Sequence, residues 1–262
     1  MFIPKRVSMS ENQKSEMQHP QFYKQVVALS EKAHADWRIN GEIHYDFANK
    51  TNAVLITAVE FILVSREYPI VFLQKDGQVS PVAILGLKPE QNLYINSDGK
   101  WEADYIPAYV RRFPFILAGD VSQKNPQYTV CIDENFQGFN RKTGERLFEK
   151  DGKHSAYLET AIQFLKDYQT QGLATERFCK ILSKLDILEP MQANIASKQG
   201  EEFSVAGFMV INRDKLKALK AVQIVNLVKT DAMDLIYHHL SSLSNLKKLT
   251  DQYAAKSIAK AS

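Results

Sequence analysis

Two cysteines in 262 residues, Cys131 and Cys179, are too few and too far apart for a disulfide scaffold or a cysteine-based zinc site, although a single bridge stays open. Reduced thiols are the expectation. Long hydrophobic runs are missing as well. The most apolar window, residues 53–64, is twelve residues long, contains Glu60 and is followed by Arg66 and Glu67, well short of the ~20 residues that span a bilayer. The opening stretch MFIPKRVSMSENQKSEMQHP has no apolar signal core and no small-residue cleavage site, so a cytoplasmic location is expected and no transmembrane segment. Charge of one sign is scarce too. The net charge is +3, and residues 213–262 carry nine Lys/Arg against four Asp/Glu, which leaves the remainder of the chain at −2. With no zinc-finger spacing, no RNP-type run and no basic zipper, nucleic acid is not an expected partner.

Phosphate-cradling and nucleophile motifs are also absent. No G-x-G-x-x-G follows a strand pattern, and neither G-x-x-x-x-G-K-[ST] nor G-x-S-x-G occurs. Dinucleotide, P-loop and α/β-hydrolase chemistry therefore have no motif behind them, and no cofactor is expected. What the chain does have is an ordinary globular composition, 45% apolar and 24% charged, with a length that suits one large domain or two small ones.

The patterning predicts an α+β protein with a mixed or antiparallel sheet built from hairpins and a helix-rich C-terminal half. Residues 1–21 read as a flexible leader, 22–132 as an α+β N-terminal part, 133–154 as a charged loop or linker, 155–250 as a helix-rich part with one hairpin, and 251–262 as a tail. Alternation of Ile43, Tyr45 and Phe47 with Glu42, His44 and Asp46 predicts a strand over 41–47. Helical spacing of apolar residues predicts a buried helix over 51–68, stopped by Pro69. Lys75-Asp76-Gly77-Gln78 predicts a hairpin turn, and Ser97-Asp98-Gly99-Lys100 a second one. A short helix is expected over 105–112 between Pro107 and Pro114, with strands at 115–117 and 128–132. Farther on, 155–188 reads as helix that Gly172 can interrupt and Glu189-Pro190 ends, 191–211 as a hairpin, and 213–219, 222–228 and 231–249 as helices.

Metal chemistry has one pattern to work with. His34-Ala35-Asp36 or His44-Tyr45-Asp46, joined by a distant His238 or His239, supplies the two-histidine, one-carboxylate ligand set of a non-haem iron enzyme. The set His34, Asp36 and His239 carries the enzyme alternative, a metal-dependent oxygenase or other modifying enzyme. His-x-Asp is a common tripeptide, and hydrogen-bonded or solvated histidines are the better account of it. His238 and His239 project about 100° apart on a helix and so cannot both face one ligand. Asp98, Glu102 and Asp104 lack calcium-loop spacing, and Cys131 and Cys179 sit among apolar neighbours as small hydrophobes without a base.

The most informative run is residues 104–115, which packs Tyr105, Tyr109, Phe113, Phe115, Arg111, Arg112, Pro107 and Pro114 into twelve positions. Aromatic faces, forked guanidinium donors and a proline-stiffened backbone suit the recognition of a peptide or protein partner. Tyr105, Tyr109, Arg111, Arg112 and Phe113 are the candidate binding residues. Ile106 and Val110 read as core anchors, and Phe113 as one that can also form a wall.

Taken together, Tyr68-Pro69-Ile70-Val71-Phe72, Pro81-Val82-Ala83-Ile84-Leu85-Gly86-Leu87, the run from Trp101 to Phe115, Cys131-Ile132-Asp133-Glu134, Leu188-Glu189-Pro190-Met191, Gly207-Phe208 and Ser242-Leu243-Ser244-Asn245-Leu246 resemble the SapC family of Gram-negative bacteria. The resemblance spans roughly residues 26–249. It implies an accessory or binding protein and marks His34 and the 104–115 run as characteristic. Partners it implies come from surface-layer, TonB-dependent receptor or halogenase-like systems. It transfers no catalytic residue.

Overall fold

The computed structural model describes residues 20–119, 128–196 and 202–261. All but the last two positions of the expected leader lie outside them, as does the hairpin tip Ser197-Lys198-Gln199-Gly200. In chain order the elements are β1 (Val26–Ala28), α1 (Glu31–His34), β2 (Arg38–Ile39), β3 (Ala53–Leu55), α2 (Phe61–Val64), β4 (Ile70–Lys75), β5 (Gln78–Ile84) and α3 (Ala108–Arg111). There follow β6 (Phe115–Ala118), β7 (Thr129–Asp133), β8 (Phe139–Asn140), β9 (Glu145–Arg146), α4 (Ala156–Leu185), β10 (Leu188–Ala196) and β11 (Glu202–Ile211). Four helices close the chain: α5 (Arg213–Lys217), α6 (Ala221–Lys229), α7 (Ala232–Ser242) and α8 (Asn245–Ala261). Single 3-10 turns at Asp46–Ala48 and Ala58–Glu60 precede β3 and α2.

Among the described residues every strand pairing is antiparallel, and the protein is α+β with hairpin-built sheets and a helix-rich C-terminal half. The main sheet has the order β10-β11-β4-β5-β3, a second runs β1-β7-β6, and a small third one runs β8-β2-β9. The β4–β5 turn is where Asp-Gly placed it. Asp76 and Gly77 both have positive φ, 50° and 75°, the backbone a two-residue hairpin turn demands and glycine accepts without strain.

Several local expectations need correcting. Residues 51–68 are not one helix, because Ala53, Val54, Leu55 and Ile56 alternate between open and buried faces and β3 pairs with β5 at Val54↔Ala83. A short apolar run satisfies helix and strand spacing alike, and sheet pairing decided it. The strand expected over 41–47 is irregular. The amide of Tyr45 donates to the Gly99 carbonyl at 2.7 Å and His44 Nδ1 meets the Asp98 carbonyl at 2.9 Å, so a turn captures the segment in place of a ladder. The second predicted hairpin shrinks to one bridge, Ile95↔Trp101, around that same turn. Residues 133–154 carry β8 and β9, and Leu147 and Phe148 are buried, so this stretch is folded onto the core.

Helix α4 passes Gly172 without a break and ends at Asp186, whose left-handed backbone (φ 52°) closes it. Pro190, expected to stop that helix, lies instead in β10, an edge strand where a missing N–H is tolerated. The helix expected over 231–249 divides at Leu243 and Ser244 into α7 and α8, and α8 continues to Ala261 through the expected tail.

Two hydrophobic cores result. The larger joins the main sheet to α7, α8 and the second half of α4 through Phe178, Cys179 and Leu182. The smaller joins β2, β6, β7 and the first half of α4 through Leu158, Ile162 and Leu165. One helix of thirty residues therefore enters both cores, about 45 Å of rigid rod at 1.5 Å per residue. Its first half, through Phe164 and Tyr168, is where the 104–115 run packs.

Candidate functional site

Two glutamates hold the 104–115 run. Buried Glu60 accepts four hydrogen bonds: from the Thr57 amide (2.7 Å) and hydroxyl (2.9 Å) through Oε2, and from the Ala108 amide (2.7 Å) and Tyr105 hydroxyl (3.0 Å) through Oε1. Seven residues on, Glu67 accepts from the amides of Asp104 (3.2 Å) and Tyr105 (3.0 Å). The first amides of a helix, here that of Ala108, have no intrahelical partner, and the irregular residues 104–105 have no strand to pair with. These two acids, one at each end of α2, supply the acceptors. The Tyr105 carbonyl in turn accepts from the Tyr68 hydroxyl at 2.6 Å, which accepts from Trp101 Nε1 at 2.8 Å. The backbone of the run is thus fixed by the protein's own acceptors.

Pro107 stands at the N-cap of α3, which lasts one turn. Ala108, Tyr109 and Val110 are buried, Arg111 is exposed, Arg112 is half-buried, and the Phe113–Pro114 peptide is cis. Tyr109 and Phe113 are each only 5% exposed, so two of the five candidate binding residues are walls and not surface contacts. Phe113 stacks on Phe47 with centroids 4.2 Å apart and meets Phe22, Tyr23 and Phe136 edge-on. Tyr105 is half-buried. Burial and the nearby Glu60 charge push its hydroxyl up to about 12, against the pull of Arg111, so it remains a donor to Glu60.

The two arginines differ. Arg111 Nε donates to the Ile106 carbonyl at 2.9 Å, its Nη2 reaches the Tyr105 hydroxyl at 3.3 Å, and its guanidinium lies 5.0 Å from the Phe164 ring centroid. Arg112 has no such acceptors. Its guanidinium carbon is 4.0 Å from the Tyr109 centroid, 5.2 Å from Tyr168 and 5.8 Å from Tyr23. Its Nε is fully buried without a hydrogen-bond partner, and among the described residues the group enters no ion pair. Burial raises the hydroxyl pKa of both Tyr23 and Tyr168 in spite of the Arg112 charge, so Arg112 faces neutral phenols. Aromatic faces give a cation part of what water would, by quadrupole attraction, and leave its donors unused.

Nearby carboxylates do not fill the gap. Glu60 is committed as above, and buried Asp133 accepts from the amides of Lys24 (2.6 Å), Gln25 (3.3 Å) and Asn135 (2.9 Å). Both arginines instead line a surface cavity of about 280 Å³, walled by Ile43, Phe113, Phe115, Tyr157, Phe164 and Leu165. Phe113 also closes a second cavity of about 440 Å³ on its other side, shared with Phe22, Phe47 and Phe136.

The histidine set does not assemble. Among the described residues no group of three or more His, Cys, Asp or Glu side chains is placed to hold a metal ion. His34 is buried, with Nδ1 against Ser30 and Nε2 3.2 Å from Glu134 Oε1. Asp36 is exposed, 3.9 Å from Arg146. His239 is fully buried, with Nδ1 2.8 Å from the Ile70 carbonyl and Nε2 accepting the Ile211 amide at 3.1 Å. Neither of its ring nitrogens is left for a metal. Desolvation lowers its pKa to about 4, so it is a neutral tie between β4, β11 and α7. His44 is held by Asp98, and His238 Nδ1 by the Ser65 hydroxyl at 3.2 Å. Both cysteines are buried and free.

Sequence reasoning missed Glu60 and Glu67 as organisers, and Tyr23, Tyr157, Phe164 and Tyr168 as the remaining walls. An acid inside the most apolar window was the available signal for Glu60. The tyrosines come from distant segments and gave none.

The SapC family model matches residues 29–249. The chain belongs to the SapC family. No curated protein and no solved structure matches it. Among the described residues no helix is long and apolar enough to cross a membrane.

Proposed function

We propose that this SapC-family chain is a binding protein that captures a peptide or protein partner at the arginine and aromatic cavity. Arg111 and Arg112 make the polar contacts, Phe113 is a wall of the cavity, and Tyr105 and Tyr109 hold the guanidiniums of Arg111 and Arg112 in place. The observation that carries the reading is the half-buried Arg112 guanidinium, packed on three tyrosines with its Nε buried and unbonded, with no acceptor among the described residues and lining a cavity. A half-buried cation with unused donors is a poor way to stabilise a fold and a good way to select a ligand. The backbone clasp by Glu60 and Glu67 supports the same reading, since a pre-organised site avoids the entropic cost of ordering on binding.

Selection of random peptides displayed on phage against the immobilised full-length protein tests it. Enriched sequences should lose about tenfold or more of their affinity for the R111A and R112A variants, as hot-spot arginines do. Enrichment of none, or equal binding to a folded R111A/R112A double variant, would sink the proposal.

A further inference from the structure

The same cavity indicates what kind of group its partner presents, an inference that rests on the binding role proposed above. Three properties of the site constrain the ligand. The first is charge. Arg112 is a monocation with no acceptor among the described residues, whereas Arg111 is already linked through the Tyr105 hydroxyl to the buried Glu60 carboxylate. Glu60 and Asp133 both act electrostatically on the tyrosines around Arg112. The two guanidiniums and these two carboxylates balance in charge, but neither carboxylate bonds Arg112, so what is left open is the set of Arg112 donors. A single carboxylate meets those donors and adds the least negative charge to a site already near neutral, whereas a phosphate dianion adds more.

The second property is shape. A guanidinium offers parallel N–H donors in a plane, and the complementary acceptor is a carboxylate with two oxygens. The third is the adjoining volume. At about 280 Å³, walled by Ile43, Phe115, Tyr157, Phe164 and Leu165, the cavity lies at the lower edge of small-molecule pockets, which run ~300–1,000 Å³. It has room for one aromatic or branched aliphatic side chain.

We infer that the cavity binds a carboxylate and an adjacent apolar side chain, with the carboxylate on Arg112 and the apolar group among Phe115, Tyr157 and Phe164. This chemistry has two sources in a polypeptide: a free C-terminus that ends in an apolar residue, or an internal Asp or Glu next to one.

Titration of the full-length protein with three small probes, followed by heteronuclear NMR, tests the assignment and separates the sources. N-acetylphenylalanine carries the C-terminal arrangement, N-acetyl-aspartyl-phenylalanine amide the internal one, and N-acetylphenylalanine amide has the ring without the charge. At least one carboxylate probe should shift resonances of Arg112, Phe164 and Tyr157 and bind about tenfold or more tighter than the amide, as a charge-assisted pair requires. In R112Q that preference should vanish, and in R112K it should weaken. The comparison of acid with amide is made on the unaltered protein, so it does not depend on how the variants fold. Equal binding of acid and amide would overturn the assignment. So would silence from all three probes while displayed peptides still bind in an arginine-dependent manner, an outcome that leaves the binding role standing. Peptides that bind R111A/R112A equally well would remove both.

Discussion

The guanidinium of Arg112 sits 4.0 Å from the ring centroid of Tyr109, held by aromatic faces on a residue whose own helix buries it. The arrangement has a consequence for stability. Replacing Arg112 by Met keeps an unbranched stem, removes the desolvated charge and forfeits the cation–π attraction. The two effects, each roughly 1–2 kcal/mol, oppose one another. Arg112→Met should therefore change unfolding free energy by less than about 1 kcal/mol in urea denaturation while weakening binding about tenfold or more. A loss of 3 kcal/mol or more would identify Arg112 as a structural clamp.

Glu60 should behave in the opposite way. Its carboxylate accepts four donors in a buried position, and an amide can present only one oxygen to them. Glu60→Gln should destabilise by roughly 2–4 kcal/mol, because buried donors are left facing a donor. The loss should be visible as a lower denaturation midpoint. Since Glu60 also fixes Ala108 and Tyr105, cavity binding should weaken in the same variant under conditions where it remains folded.

Stability should fall in mild acid through His239. Its folded pKa is lowered to about 4 from an ordinary value of 6.5, so the unfolded chain binds the proton more readily. Above pH 6.5 this residue carries no penalty. As pH falls from 6.5 towards 4 the penalty grows to roughly 3 kcal/mol, at about 1.4 kcal/mol per unit, and then levels off. In His239→Gln, whose side chain can donate to the Ile70 carbonyl and accept from the Ile211 amide, that part of the slope should disappear. Urea titrations at several pH values between 4 and 7 measure it, and an unchanged slope in the variant would assign the acid sensitivity to other groups.

Neither thiol should react in the native state. Burial pushes Cys179 up to about 12 and raises Cys131 as well, and it is the thiolate that reacts. A chromogenic thiol reagent should detect no rapid reaction until denaturant is added and two equivalents thereafter, one for each cysteine of the chain. Fast native labelling of either would contradict the burial.

The hairpin at Asp76-Gly77, the one-turn helix after Pro107 and the amphipathic C-terminal helices were legible because each rests on local chemistry: a positive φ, a fixed φ, a repeating apolar face. The 53–56 strand and the irregular 41–47 segment were not, since their conformation depends on β5 and on the Gly99 turn, partners that local spacing does not reveal. The site divides in the same way. Tyr105, Arg111 and Arg112 stand out in the run itself, whereas Tyr23 and Tyr168 are brought to Arg112, and Phe164 to Arg111, by the segment before β1 and by the first half of α4. The pairing of His34 with Glu134 and the burial of His239 likewise became visible only with the fold.

The central claim, that Arg112 is kept unpaired in order to bind, is tested most directly by fluorescence anisotropy with a labelled peptide from the phage selection. Its dissociation constant should be measured on the unaltered protein and on R112M at equal folded fraction. The account predicts a loss of about ten- to hundredfold, the worth of one charge-assisted pair. Equal affinities would contradict it.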